Sequence, residues 1–549
     1  FVSDRNGEQN IWVWQRGGQQ RQLTNFTDGR VLWASMSYDS REIVFERDFG
    51  IWKMDTNSGR AAAVPIRLRG ASVTPITERV NASSQIRQFA LSPDGKKVAM
   101  IARGEVFAGS SKEPGDAVRI TTTAAPESYV SWSSDSRKVI YTSERSGTMT
   151  LHEYDLGAET ETQLTGGEGN DFGALYSPDG KWIAFVRDAR KLMVMDVASK
   201  QLRELARLYT DSPPLFGQGS IAWSPDSRWI AFLTLQPETR SYTNVAVVSV
   251  EGGPARTITF LANSNSNRIS WAPDGSFIVF DTNQRTEDTF IARVDLQLRT
   301  PRFREDQFRD LFKQENPRDR QPPAPAASPA PSPAATPKAD ETKDDKKTEI
   351  VFDDIRRRLS LLNTGVNGGN PVISPDGKTL AILASAIGQF NIFTRTLDEL
   401  ATDTSSRQIT TSSGFKSQAQ FTPDSKEIYY LENGRINIAV IERRESRPLN
   451  LNIEIPVSFA EDKMETFNQG WRYLRDNFYD DKFHGVDWNA VRTRYEPLIA
   501  ASRTPEEVRR LMSLMVGELN ASHLGVSGGT TQPQATAVGK LGLRFDRGE

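Results

Sequence analysis

The sequence predicts a mainly β protein: a seven-bladed β-propeller with the remnant of a preceding propeller, followed by a small α-helical unit. Three observations carry that expectation. A turn unit recurs eight times along the chain. Short stretches of alternating or continuous apolar residues follow each copy, as strands do. From about Asp462 the apolar spacing changes to three and four residues, the period of a helix face.

The unit reads aromatic-Ser-Pro-Asp-Gly/Ser-Lys/Arg. Its copies are Met36-Ser-Tyr-Asp-Ser-Arg41, Leu91-Ser-Pro-Asp-Gly-Lys96, Trp132-Ser-Ser-Asp-Ser-Arg137 and Tyr176-Ser-Pro-Asp-Gly-Lys181. Four more follow: Trp223-Ser-Pro-Asp-Ser-Arg228, Trp271-Ala-Pro-Asp-Gly-Ser276, Ile373-Ser-Pro-Asp-Gly-Lys378 and Phe421-Thr-Pro-Asp-Ser-Lys426. Proline presets φ for a turn, aspartate caps its own backbone, and glycine accepts the left-handed position, so each unit is a hairpin turn. Strands such as Trp182–Val186 and Leu192–Val197 flank it. Successive aspartates lie 55, 41, 44, 47, 48, 102 and 48 residues apart. A spacing of roughly 40–50 residues holding about four strands is one propeller blade.

The 102-residue gap contains an insertion: residues 321–338 hold seven prolines and six alanines, and Ala339–Lys347 is mostly charged. Such composition buries too little apolar surface to offset ordering entropy, so a disordered loop is expected at about 318–349. The seven aspartates from Asp94 to Asp424 fill a seven-bladed ring, and Asp39 is left to the end of an earlier propeller. The expected domains are 1–60 for that remnant, 61–457 for the ring, 458–530 for the helical unit and 531–549 for the start of another domain.

Composition bounds the partners. The 549 residues carry 68 Lys+Arg against 70 Asp+Glu, which gives no electrostatic footprint for nucleic acid or an anionic membrane. There is no cysteine, so disulfides, thiolate metal sites and a cysteine nucleophile are excluded. His152, His484 and His523 are too few and too scattered for a His-rich metal centre. Neither a phosphate-binding glycine loop nor a His-Glu-x-x-His helix occurs, and no cofactor or metal is expected. No apolar run is long enough to span a bilayer. The chain opens at Phe1 and closes at Glu549 just after Leu541–Phe545, and both ends read as cut.

In the C-terminal region, Met464, Phe467, Trp471, Leu474 and Phe478 form one helix face. Asp487 reads as the N-cap of a second helix carrying Trp488, Val491, Tyr495 and Leu498. Thr504, Pro505, Glu506 and Glu507 open a third helix, whose buried face is Val508, Leu511, Met512, Met515 and Leu519. It ends at Asn520-Ala-Ser-His523, before a glycine-rich exit. An imidazole there can act as a general base oriented by the neighbouring hydroxyl, or simply hydrogen-bond a loop. Chemistry alone favours the second. His152, in a blade strand, and His484, in a loop, read as structural or solvent-facing.

Ser-Pro-Asp-Gly blades followed by Phe467-Asn-Gln-Gly-Trp-Arg-Tyr-Leu-Arg-Asp-Asn-Phe-Tyr479, His484-Gly-Val-Asp-Trp488 and Gly517-Glu-Leu-Asn-Ala-Ser-His523 resemble the tricorn protease family. Pro65–Arg69 and Ala102–Phe107 are also similar to that family's second propeller. The resemblance implies that six-bladed and seven-bladed propellers precede a serine peptidase core split into C1 and C2, with a PDZ domain between. It makes about 458–530 the C1 part, and Val538–Asp546 the first PDZ strand. His523 then becomes the general base and Ser522 the hydroxyl that orients it. The nucleophilic serine and a supporting glutamate belong to C2, beyond residue 549. The implied activity is degradation of peptides left by larger proteases, with the ring as a size filter. The implied assembly is a hexamer in the cytoplasm, or a periplasmic protein if a signal peptide has been lost.

Two other readings compete. A TolB-like, non-enzymatic propeller that binds protein partners explains residues 1–457 and leaves the helical region without a role. A prolyl-oligopeptidase-type hydrolase needs a nucleophile elbow between strand and helix. The formal match Gly525-Val-Ser-Gly-Gly529 follows a helix, and no histidine comes after Ser527, so it reads as chance.

Overall fold

The computed structural model describes residues 1–47, 50–66, 77–167, 169–235, 242–263, 266, 268–284, 288–299, 347–386 and 388–528. The chain forms two compact units, Phe1–Thr74 and Pro75–Glu549. Most of the expected insertion at 318–349, and the stretch 531–549, lie outside the described residues.

The first unit holds a three-stranded sheet, Val2–Ser3, Asn10–Trp14 and Gln20–Gln22, and a four-stranded sheet running from Leu32–Met36 to Ala61–Ala63. Ile11, Val31, Ile43, Phe45 and Met54 form its core. The Met36–Arg41 turn joins the first two strands of the four-stranded sheet.

The second unit is a seven-bladed β-propeller. Seven four-stranded antiparallel sheets follow one another, spanning 86–119, 127–163, 171–207, 221–257, 269–362, 367–408 and 416–448. The third and fourth strands of the fifth blade are Phe290–Asp295 and Leu359–Leu362, so the sequence between them includes residues 300–346.

The repeated turn explains its own residues. In the first blade the Ser92 hydroxyl donates to Asp94 (2.5 Å), and Asp94 accepts the Lys96 amide (3.0 Å). The same contact recurs at Ser133–Asp135, Ser177–Asp179, Ser224–Asp226, Ser374–Asp376 and Thr422–Asp424. Where alanine replaces the serine in the sixth copy, that of the fifth blade, the Ser276 hydroxyl takes its place on Asp274 at 2.6 Å. The residue after the aspartate is left-handed whether glycine or serine: φ is 68° at Gly95 and 60° at Ser136. A serine there is strained, and its hydroxyl reaches the preceding blade's turn. Ser136 accepts the Asp94 amide, Ser227 that of Asp179 and Ser425 that of Asp376, at 3.0–3.1 Å. The aromatic position also ties blades together: the indoles of Trp132, Trp223 and Trp271 donate to Ala90, Leu175 and Ala222 carbonyls of the preceding blade.

Between the last and first blades the motif position is Leu91 of the first blade, which has no donor. There the side chains of Gln418 and Gln420 pair with the backbone of Arg87, Phe89 and Leu91 at 2.8–3.1 Å. Outside the blades, Glu454–Ser458 pairs antiparallel with Thr77–Asn81, and Leu451–Asn452 pairs parallel with Gly115–Asp116. The first clasp joins the segments that lead into and out of the ring, and the second ties the outgoing segment to the first blade, between its third and fourth strands. Among the described residues no helix is long and apolar enough to cross a membrane.

Candidate active site

Three helices follow the ring: α1 (Phe459–Asn477), α2 (Trp488–Ala501) and α3 (Pro505–Gly517). Asp487 caps α2 by accepting the amides of Asn489 and Ala490. Thr504 and Glu507 form a reciprocal capping box at the start of α3. Phe467, Trp471 and Leu474 of α1 meet Trp488, Val491, Tyr495 and Ile499 of α2 and Val508, Leu511, Met512, Met515 and Val516 of α3 in one core. On α2 the fully buried aliphatic is Ile499, and the expected Leu498 sits at the core's margin. The Trp471 indole donates to the Trp488 carbonyl at 2.9 Å, and the Trp488 indole returns a bond to the Trp471 carbonyl at 3.1 Å. The Lys463 ammonium, buried, donates to the Ala500 and Ser502 carbonyls and so satisfies the end of α2.

The chain leaves α3 through Glu518, whose carboxylate accepts from the Tyr495 hydroxyl at 2.8 Å, and Leu519, which is fully buried. Ser522 and His523 come next, both exposed, with His523 in the left-handed region at φ 62°. Among the described residues neither side chain makes a hydrogen bond, and the pair are not bonded to each other. Both side chains are therefore open to solvent on a turn just past a packed helix end.

His484 fixes where that turn starts. Its Nδ1 lies 2.8 Å from the Leu519 carbonyl, and its Nε2 pairs with the Tyr479 hydroxyl. Asp480 accepts the His484 amide at 2.8 Å, and this bond with that from Lys482 holds the Asp480 carboxyl below the usual range. Phe483, His484, Asn520 and His523 all have positive φ, so the two loops facing each other here are both held in sparsely populated conformations. From the sequence alone His484, in a loop, reads only as structural or solvent-facing. The signal that could have located its role is its place in the segment between α1 and α2, but the Leu519 partner is 35 residues away. His152, by contrast, is a buried blade residue against Tyr141.

α1 rests on the propeller face formed by the turns between second and third strands. Arg472 bridges Glu144 of the second blade and Glu465 of its own helix, at 2.9 and 2.6 Å. Arg475 donates to the Gly147 carbonyl, Asn170 to Asp476, and Arg103 pairs with Asp462. Burial pushes the Glu144 carboxyl up, against the pull of Arg472. Two cavities flank this bridge, of about 450 and 780 Å³. Among the described residues no group of three His, Asp or Glu side chains is placed to hold a metal ion.

Residues 459–517 match the family model of the tricorn protease C1 domain. A 135-residue stretch is 26% identical to tricorn protease homolog 1 of Streptomyces coelicolor, covering 23% of this chain and 13% of that protein. A 186-residue stretch is 27% identical to the Tol-Pal system protein TolB of Francisella tularensis, covering 33% of this chain and 40% of that protein. The crystal structure of tricorn protease shares the fold, with a TM-score of 0.71 over 96% of this chain at 16% identity. This chain spans half the length of that one. A seven-bladed ring sharing the tricorn protease fold, followed by a helical unit that matches the C1 family model over 459–517, makes the chain tricorn-like.

Proposed function

We propose that this chain belongs to a serine peptidase that degrades peptides, in which His523 is the general base and Ser522 the hydroxyl that orients it. The observation that carries the reading is the C1 match at 459–517 running directly into an exposed Ser522-His523 turn anchored by His484. In acyl transfer the base takes the proton of a serine nucleophile and returns it to the leaving amine. The nucleophile, its supporting glutamate and the oxyanion hole are assigned to a C2 part beyond residue 549, reached through a PDZ domain. The propeller gates peptide access, and the working assembly is a cytoplasmic hexamer. These assignments rest on the family resemblance. The proposed domains are those at 1–74, 75–457, 458–530 and 531–549; the first boundary moves from the expected 60 because Ala61–Ala63 completes the first unit's sheet.

The test compares two purified proteins on peptide-coumarin substrates. The 549-residue chain is expected to be inert, and a chain extended through the C2 part to be active and to lose activity on His523→Ala. Hydrolysis by the shorter chain would show the active site to be elsewhere. A second reading, a propeller that binds protein partners without chemistry, is favoured by the match to TolB. It gives α1–α3 no task.

A further inference from the structure

We propose that the cavity between α1 and the first two blades binds a cationic nitrogen of a peptide, its free α-ammonium or a lysine or arginine head group, on Glu105 and Glu127. This deepens the peptidase reading and rests on it for the ligand being a peptide. The cavity, of about 780 Å³, is lined by six carboxylates against three guanidinium groups. An acidic lining alone would mean little, but the buried charges behind it do not balance.

Three carboxylates of the first two blades, Glu105, Glu127 and Glu161, share two guanidinium groups. Arg119 is committed to Glu105 at 2.7 Å, with the Thr121 hydroxyl on the other oxygen at 2.6 Å. Arg145 is committed to Glu161 through two bonds of 2.7 and 2.9 Å, and reaches Glu127 only at 3.3 Å. Tyr141 also donates to Glu161. His152 stands 3.8 Å from Glu161 but supplies no charge, because burial and Arg145 hold its imidazole down at about 4. On the α1 side Arg472 and Arg103 are spent on Glu144, Glu465 and Asp462. Arg87, at the rim, is exposed, and among the described residues it pairs with no carboxylate.

The deficit falls on Glu127. Its side chain is fully buried, Oε1 accepts from Thr123 (2.9 Å) and Ser143 (3.1 Å), and Oε2 has no hydrogen-bond partner. A buried carboxylate one cation short either holds a proton or gains a cation. Burial, then the charge of Glu105, pushes Glu127 up to about 8, so near neutral pH the proton is there. An arriving ammonium or guanidinium replaces it: the O–H bond of Glu127 breaks, the proton passes to solvent, and the cation pairs with the carboxylate.

Calorimetric titration of the 549-residue chain at pH 7, in two buffers of different ionisation enthalpy, tests this without any hydrolysis. The probes are tetra-alanine amide with a free N-terminus, its N-acetyl analogue, and N-acetyl-Ala-Lys-Ala-Ala amide. At least one cationic peptide should bind about tenfold or more tightly than the neutral one, with release of close to one proton. Preference for the free N-terminus assigns the α-ammonium, and preference for the lysine peptide assigns the side chain. Glu127→Gln should abolish both proton release and preference. Equal behaviour of the three peptides on the wild-type chain overturns the proposal, as does a preference that survives both Glu127→Gln and Glu105→Gln. Because no turnover is measured, either failure leaves the peptidase reading to be judged by His523→Ala.

Discussion

Glu127→Gln changes how stability depends on pH, and the direction follows from the buried network. The folded chain holds the Glu127 proton to about 8, against an ordinary value of 4.5. A raised carboxyl contributes stability that is fully present below its unfolded value and is lost as pH rises through the folded one. The wild-type ring should therefore weaken between about pH 5 and pH 8, and Glu105, also pushed up by burial, adds in the same direction. At ~1.4 kcal/mol per unit, the span sets a ceiling of roughly 5 kcal/mol. Relaxation and water entry around a buried charge bring the expectation to about 2–3 kcal/mol. For a domain this large each kcal/mol moves Tm by roughly 1–2 °C, so the wild type should lose about 3–5 °C from this group alone between pH 5.5 and 8.5. The neutral amide keeps the acceptor for Thr123 and Ser143 and titrates nowhere, so the variant's Tm should be flatter. Scanning calorimetry of both proteins at four pH values measures it. Parallel profiles would refute the account of an uncompensated carboxylate.

Other outcomes test the helical unit and the blades. In a chain extended through the C2 part, His523→Ala should lower kcat by about 10²–10⁴-fold with no change in Tm, since the side chain is exposed and unbonded; a kcat near wild type would make it a loop histidine. Ser522→Ala should act in the same direction more mildly, while His484→Ala should cost about 1 kcal/mol as well as activity, by freeing the Leu519 carbonyl. Trp471→Phe should cost about 1 kcal/mol for one indole bond and Trp471→Ala about 3–5 kcal/mol, read by chemical denaturation; equal costs would mean that packing is not what Trp471 supplies. On the acid side, the neutral, buried His152 contributes stability that is lost as pH falls from about 6.5 through about 4. His152→Gln should flatten that limb, and an unchanged limb would assign it to other groups.

By itself the sequence determined the blade repeat, the three helices and their caps, because these are local. A turn that needs a capping aspartate and a left-handed residue writes itself into six consecutive positions, and a helix face into a dozen. Only the tertiary structure explains why the motif begins with an aromatic and why serine can replace glycine: the indole and hydroxyl bond the preceding blade, 42–49 residues away. It also decided how the ring closes, through Gln418 and Gln420 and through clasps between segments more than 330 residues apart. Ser522 and His523 could be read as a pair, but their anchor could not, since His484 and Leu519 meet only when α1–α3 pack. The charge deficit at Glu127 is further still from the sequence. Its members come from strands and turns of two blades, and whether a carboxylate is balanced depends on distances and burial that neighbouring residues in the chain do not encode.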